Sequence, residues 1–324
     1  MSDAPLVSVL IPAYNHEGYV QDTIKSIIAQ TYKNIELIII DDGSKDSTWQ
    51  KINELKTECN NRFAKFHLEK QENKGVCATL NKLISHSSGK YIYIIASDDL
   101  TKPQAIEKEV AFLEYNPDYV LVVGDNELIN AKSERIGWNK QQISVNLSEA
   151  DYKSFGAMLQ DYNKDIDFYS DNFGKYETFV TRNYIPNGFL VSASVVKSIG
   201  GYTSEAPLED WYLHLQLSKI GKYKYIDEIL FSYRWHDNNT IKRTEYMRSI
   251  TYKTQLYEKK LVDRMEDKKW KEIFDRKISR KKIKFKIADV LSLYSIKNIY
   301  EKKLVLSIFK KNFVLQCKKQ QSPT

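Results

Sequence analysis

Through the first 125 residues, continuous apolar runs alternate with segments in which apolar positions recur every three or four residues. The runs "LVSVLIPAY" (6–14), "IELIIIDD" (35–42), "RFAKFHLE" (62–69), "KYIYIIAS" (90–97) and "DYVLVVGD" (118–125) predict five strands. Helices are predicted between them over 18–30, 46–57, 75–87 and 103–115. The strand runs are rich in β-branched residues and do not strictly alternate with polar ones, which is the pattern of strands covered on both faces. The expectation is an α/β protein with a mostly parallel central sheet and flanking crossover helices. Such sheets bind ligands at the carboxyl ends of their strands, and here those ends read "IPAYN", "DDGSKDST", "QENKG" and "ASDDL".

Between residues 126 and 181 the periodicity loosens into a polar, tyrosine-rich stretch, expected to hold loops, short helices or an acceptor-side insertion. Order returns from residue 183: a short strand, a turn through Gly200 and Gly201, a helix from about Asp210 to Lys219, and a strand "KYIDEILFSYRWH" (224–236). Charge then marks a boundary. Residues 241–324 carry 24 Lys and Arg against 9 Asp and Glu, leaving 25 against 33 in residues 1–240, although the whole chain is only +7. The organisation expected is a catalytic domain over 1–240 and a basic, helical C-terminal region over 241–324, suited to an anionic membrane surface or to oligomer contacts.

Four clusters could carry chemistry. Asp41 and Asp42 end the second strand before Gly43, where a carboxylate can accept hydrogen bonds from a nucleobase or ribose; an ordinary Asp-rich turn is the alternative. Asp98 and Asp99 are adjacent carboxylates at the end of the fourth run, and their mutual repulsion asks for a cation or a hydroxyl-rich ligand, unless they are a solvated helix entry. Glu209 and Asp210 open an amphipathic helix, where the exposed N–H groups favour an ionised carboxylate able to act as a base, or simply a cap. In "YRWHDNN", His236 is either a metal or phosphate contact or a packed residue, and Arg234 is a cation that could sit near a phosphate.

Taken in order and spacing, these stretches resemble glycosyltransferase family 2. The resemblance rests on "VSVLIPAYNHEGYVQDTIKSIIAQTYKNIELIIIDDGSKDST", "ENKGVCATLNKLISHSSGKYIYIIASDDL", "GGYTSEAPLEDWYLHLQL" and "YRWHDNN", and spans about residues 5–240. It implies a GT-A fold, Rossmann-like, with a UDP-sugar donor, Mn2+ or Mg2+, and inverting transfer to a hydroxyl of a glycan or lipid-linked glycan acceptor. Carried onto this chain, it places Pro12 and Tyr14 along the nucleobase, Asp42 on the uracil with Asp41 beside it, and Asp98 on the ribose side. Asp99 is then the metal ligand, Asp210 the catalytic base, Glu209 and Trp211 acceptor-side residues, and His236 a partner of the metal or diphosphate. Two departures are visible: Ala96 stands where the family often has an acid, and the Asn73–Asn81 stretch lacks the arginine common in the third helix.

Several classes are disfavoured. No GxGxxG follows the first strand, against a dinucleotide-dependent oxidoreductase, and the basic segment is aliphatic without an aromatic platform, against a nucleic-acid binder. A nucleotide-sugar-binding protein without catalysis is the alternative, and retention of Asp42, Asp99 and Asp210 argues against it. Cys59, Cys77 and Cys317 are scattered, with neither disulfide-framework nor zinc spacing. With no basic leader and no run long enough to span a bilayer, a cytoplasmic protein is expected, at most peripheral on the inner face of the cell membrane.

Overall fold

The computed structural model describes residues 4–280. In chain order the elements are β1 (Val7–Ala13), α1 (Val20–Ile28), β2 (Ile35–Asp41), α2 (Thr48–Glu54), α3 (Lys56–Arg62), β3 (Lys65–Lys70), α4 (Val76–His86), β4 (Tyr91–Ile94), β5 (Leu100–Thr101), α5 (Ala105–Tyr115) and β6 (Tyr119–Ile129). They continue with β7 (Arg135–Trp138), β8 (Ser144–Val145), α6 (Phe155–Tyr162), α7 (Tyr176–Phe179), β9 (Phe189–Ser192), α8 (Ala193–Ser198), α9 (Glu209–Leu217), β10 (Lys222–Arg234), α10 (Thr244–Arg264) and α11 (Lys268–Arg280).

The sheet runs β3-β2-β1-β4-β9-β6-β10-β5, with β7 and β8 attached beside β6. Its first four strands are mutually parallel, and β6 and β10 are parallel to each other. The expected α/β architecture is therefore present. Two strands of that order run against it: β5 pairs antiparallel with β10 at the edge, and β9 inserts antiparallel between β4 and β6. A four-residue run such as "FLVS" carries no mark of its direction, which is set by how the preceding loops and helices return the chain to the sheet.

Alternate side chains of β1 feed opposite layers. Val7, Val9 and Ile11 pack with α1, α2 and α5 on one face, while Leu10 joins Ile38, Ile40, Leu80 and Leu83 on the other. Burial on both faces explains why the strands read as unbroken apolar runs. The second layer extends through α9 to the start of the basic segment. Along α10 the buried positions are Ile250, Thr254, Glu258 and Val262, spaced by four so that they share one helix face. That face packs on α9: Leu208 N–H donates to Thr254 Oγ1 (3.0 Å), and Gln216 Nε2 donates to Glu258 (2.7 Å). Ile273 and Phe274 of α11 are buried in the same core. The remainder of the expected C-terminal region, 281–324, lies outside the described residues.

Candidate active site

The carboxyl ends of β1, β2, β4 and β10 converge as the parallel topology requires. β2 ends on Asp41, and Asp42 N–H donates to Ala13 O (2.8 Å), binding the ends of β2 and β1 together. Gly43 takes φ +75°, and a Cβ there would meet Asn73 N at 2.7 Å, so the turn needs glycine both for conformation and for close approach. That approach lets the Asp42 carboxylate accept from Gln71 Nε2 (2.8 Å), Lys74 N–H (2.8 Å) and Gly75 N–H (2.9 Å), gripping the loop that opens α4. Asp41 accepts from Ser44 N–H (2.8 Å) through Oδ1, while its buried Oδ2 has no partner. Tyr14 is largely exposed at the end of β1, and Pro12 is half-buried.

Beyond β1 the chain turns at Asn15 (φ +53°), and His16 N–H donates to Thr48 Oγ1 (2.8 Å). This directs the His16 ring towards the turn after β4, where Nδ1 pairs with Ser97 Oγ (2.8 Å) and Nε2 lies 3.7 Å from Asp98 Oδ2. His236 Nε2 reaches the same Asp98 oxygen at 2.9 Å. His16, Asp98 and His236 thus present three potential ligand atoms within 4.8 Å of one another, a nitrogen-oxygen set suited to a divalent cation. Burial opposes ionisation of Asp98, but the hydrogen bond from His236 and the nearby His16 hold its carboxyl below the usual range. Burial also holds the His16 imidazole low, against the pull of Asp98.

The two adjacent carboxylates are placed differently from the expectation, which paired Asp99 with the metal and Asp98 with the ribose. Asp98 faces the histidines, whereas Asp99, 2% exposed, turns into the sheet and accepts from Arg234 N–H (2.8 Å). Burial and the Asp98 charge push the Asp99 carboxyl well up. Arg234 explains the arrangement. Its side chain is fully buried beneath the turn, with Nε donating to Asp98 O (2.5 Å) and Nη1 to Ser133 Oγ (2.9 Å), so it braces the carboxylates and does not reach out to a phosphate.

Asp210 lies in the first turn of α9, half-buried, and accepts from Asn183 Nδ2 (2.9 Å) through Oδ2. Burial raises its carboxyl, and raises that of Glu209 to about 7 with the help of the Asp210 charge. Trp211, expected on the acceptor side, is instead buried, its indole N–H donating to Phe179 O (2.8 Å). Successive helix residues point about 100° apart, so with Asp210 towards the site Trp211 faces the core. Burial, then the charges of Asp99, Asp98 and Asp210, push up the phenol of Tyr233.

Beside His236 an open cleft of about 390 Å³ is lined by Tyr19, Trp235 and Lys242 among others, with Lys242 Nζ 4.5 Å from the Trp235 ring centroid. Sequence reasoning missed His16, Asn183 and Tyr233. Only His16 had a readable signal, its place in the polar run that ends the first strand; the others are recruited by long-range packing.

Comparison with known proteins gives this α/β fold a family. Residues 8–179 match the family described as Glycosyl transferase family 2, and the chain belongs to it. An uncharacterized glycosyltransferase of Haemophilus influenzae is 40% identical over 124 residues, 38% of this chain and 37% of that protein. TuaG of Bacillus subtilis, provisionally named a teichuronic acid biosynthesis glycosyltransferase, is 35% identical over 109 residues, 34% of this chain and 42% of its own length. These matches span less than half of each relative.

The fold is that of GT-A glycosyltransferases. Staphylococcus aureus TarS in complex with UDP-GlcNAc superposes with a TM-score of 0.57 at 13% identity, over 85% of this chain and 72% of that one. The Pyrobaculum calidifontis mannosyltransferase PcManGT, in complex with GDP-Man and Mn2+, gives 0.53 at 12% identity, over 96% and 81%. No helix among the described residues is long and apolar enough to cross a membrane.

Proposed function

We propose that this protein transfers a hexose or N-acetylhexosamine from a UDP-sugar to a hydroxyl of a glycan acceptor, with inversion, using Asp210 as general base. The observation that supports this reading is the cluster of His16, Asp98 and His236 at the carboxyl edge of the parallel strands, a site able to hold a cation against a diphosphate.

Each residue then has a task. Tyr14 and Pro12 flank the nucleobase, and the unpartnered Asp41 Oδ2 is the acceptor best suited to a base N–H, with Asp42 holding the loop beside it. His16, Asp98 and His236 would hold the divalent cation; their mixed nitrogen-oxygen set suits Mn2+ better than Mg2+, which prefers oxygen. When bound, the ion supplies positive charge to the diphosphate leaving group. Asp210 takes the proton of the attacking hydroxyl, its raised affinity for protons improving it as a base and Asn183 fixing its orientation. Glu209 beside it keeps the local charge high when ionised, and Asp99 supports Asp98 from beneath.

The acceptor is proposed to be a polyprenyl-diphosphate-linked surface-polysaccharide intermediate. Lys242 at the mouth of the cleft offers a cation for its diphosphate, and the basic segment after residue 241 an affinity for anionic lipid.

The test is Asp210→Asn, which keeps shape and removes the base. Transfer should fall by about 10²- to 10⁴-fold with the donor KM little changed. Transfer at a near wild-type rate would remove Asp210 from the mechanism, and retained UDP-sugar binding with no turnover in the wild-type protein would favour a binding protein without catalysis.

A further inference from the structure

The geometry points to a second metal site, separate from the Asp98 cluster: His67, Glu69 and His86 form a tridentate site for a divalent transition ion of the zinc type. His67 and Glu69 lie two apart on β3 and therefore on one face of the strand, opposite Ile38 and Ile40 of β2 in register. Ile38 and Ile40 are covered by Leu80, Leu83 and Ile84 of α4, and His86 is the last residue of that helix. The three side chains are thus brought together by the packing of α4 across the outer strands of the sheet.

Their spacing fits coordination better than hydrogen bonding. His67 Nε2 and His86 Nε2 lie 3.4 and 3.6 Å from the same oxygen, Glu69 Oε2, and the three ligand atoms fall within 4.8 Å of one another. Those distances are long for N–H···O bonds. Ligands held about 2.1 Å from a tetrahedral zinc stand about 3.4 Å apart, which matches both imidazole-to-carboxylate edges. The rings stack with centroids 4.2 Å apart and planes at 26°, an arrangement in which two imidazolium charges would repel, whereas neutral imidazoles are the ligand form.

Glu69 is also oriented for the task. Lys82 Nζ donates to its other oxygen, Oε1, and also to Gln71 Oε1 (3.2 Å), leaving Oε2 for the histidines. A carboxylate steadied from behind in this way resembles the outer partners that aim ligands at metals. Two imidazoles with one carboxylate favour zinc or a neighbouring transition ion over Mg2+. The side chains of the three residues are 41%, 32% and 36% exposed, so the fourth position is open to water. The ion would clamp the end of α4 to β3, while Asp42 grips the loop at the helix start through Lys74 and Gly75.

The test uses the full chain and Zn2+ alone, titrated against a chromophoric chelator. A His16→Ala, His236→Ala background removes the other cluster, so the result does not depend on the donor-site reading. That background should bind one equivalent of Zn2+ and, with Co2+ in its place, show a visible d–d band. Adding His67→Ala and His86→Ala should weaken Zn2+ binding by at least about tenfold, abolish the band, and abolish the rise in melting temperature caused by Zn2+. Should that variant melt below its parent in EDTA, the single His86→Gln variant supplies the comparison. Absence of bound Zn2+ in the background, or unchanged affinity without the two histidines, overturns the site.

Discussion

Glu258 offers the sharpest test of how the start of the basic segment supports α9. Its side chain is 1% exposed and pairs with Lys219 Nζ at 2.7 Å, itself 6% exposed. It also accepts from Tyr176 OH (2.5 Å) and Gln216 Nε2 (2.7 Å). Glu258→Ala removes the counter-charge of the Lys219 ammonium, leaving it Gln216 Oε1 at 3.0 Å and the Tyr176 ring, and takes the acceptor from two further donors. Breaking a buried pair on one side costs about 3–5 kcal/mol, because the surviving charge stays desolvated without its partner. At roughly 2–4 °C per kcal/mol for a domain of this size, the melting temperature should fall by about 10 °C. Urea unfolding of the full chain measures the loss directly. The double variant Glu258→Leu, Lys219→Met should recover at least half of it, since an apolar pair in the same space avoids the desolvation cost of the two charges, although Tyr176 OH and Gln216 Nε2 still lose their acceptor. A loss below about 1 kcal/mol for Glu258→Ala, or a double variant no better than the single, would show that this network does not brace the helix.

Other outcomes follow from the same geometry. His236→Ala should raise the concentration of Mn2+ needed for half-maximal transfer by at least about tenfold, and EDTA should stop transfer reversibly; activity unmoved by either refutes the metal role of the Asp98 cluster. Glu209 is raised from its ordinary 4.5 to about 7, so the folded state binds more protons than the unfolded one between these values. Its contribution to stability is full below pH 4.5 and lost as pH rises through 7, by up to about 3 kcal/mol. Glu209→Gln should flatten that slope in urea titrations from pH 5 to 8, and an unaltered slope assigns it elsewhere. Flotation with anionic liposomes should be lost on removing residues 281–324, and equal flotation of both forms ends the membrane proposal.

Much of the candidate site's layout was legible because local rules govern it. Parallel strands buried on both faces must be apolar throughout, so "VSVLIPA" and "IELIIID" announce themselves, and their polar ends fall where ligands bind. The helix period likewise put Asp210 in the first turn of α9. Side-chain direction at the turn after β4 was not legible. Asp98 and Asp99 are neighbours with the same chemistry, and only the buried Arg234, 135 residues beyond Asp99, separates the one facing the histidines from the one facing the sheet.

The sequence by itself determined the alternation of strand and helix, the both-face burial of the central strands and the gathering of acids at their carboxyl ends, since these depend on periods of two and 3.6 residues. Tertiary structure alone decided that β9 runs antiparallel, that Trp211 turns inward, that His16 and His236 meet on Asp98, and that Thr254 and Glu258 hold α9. Each of these pairs residues far apart in the chain, where the outcome rests on competition among many packing and hydrogen-bonding partners that no local pattern records.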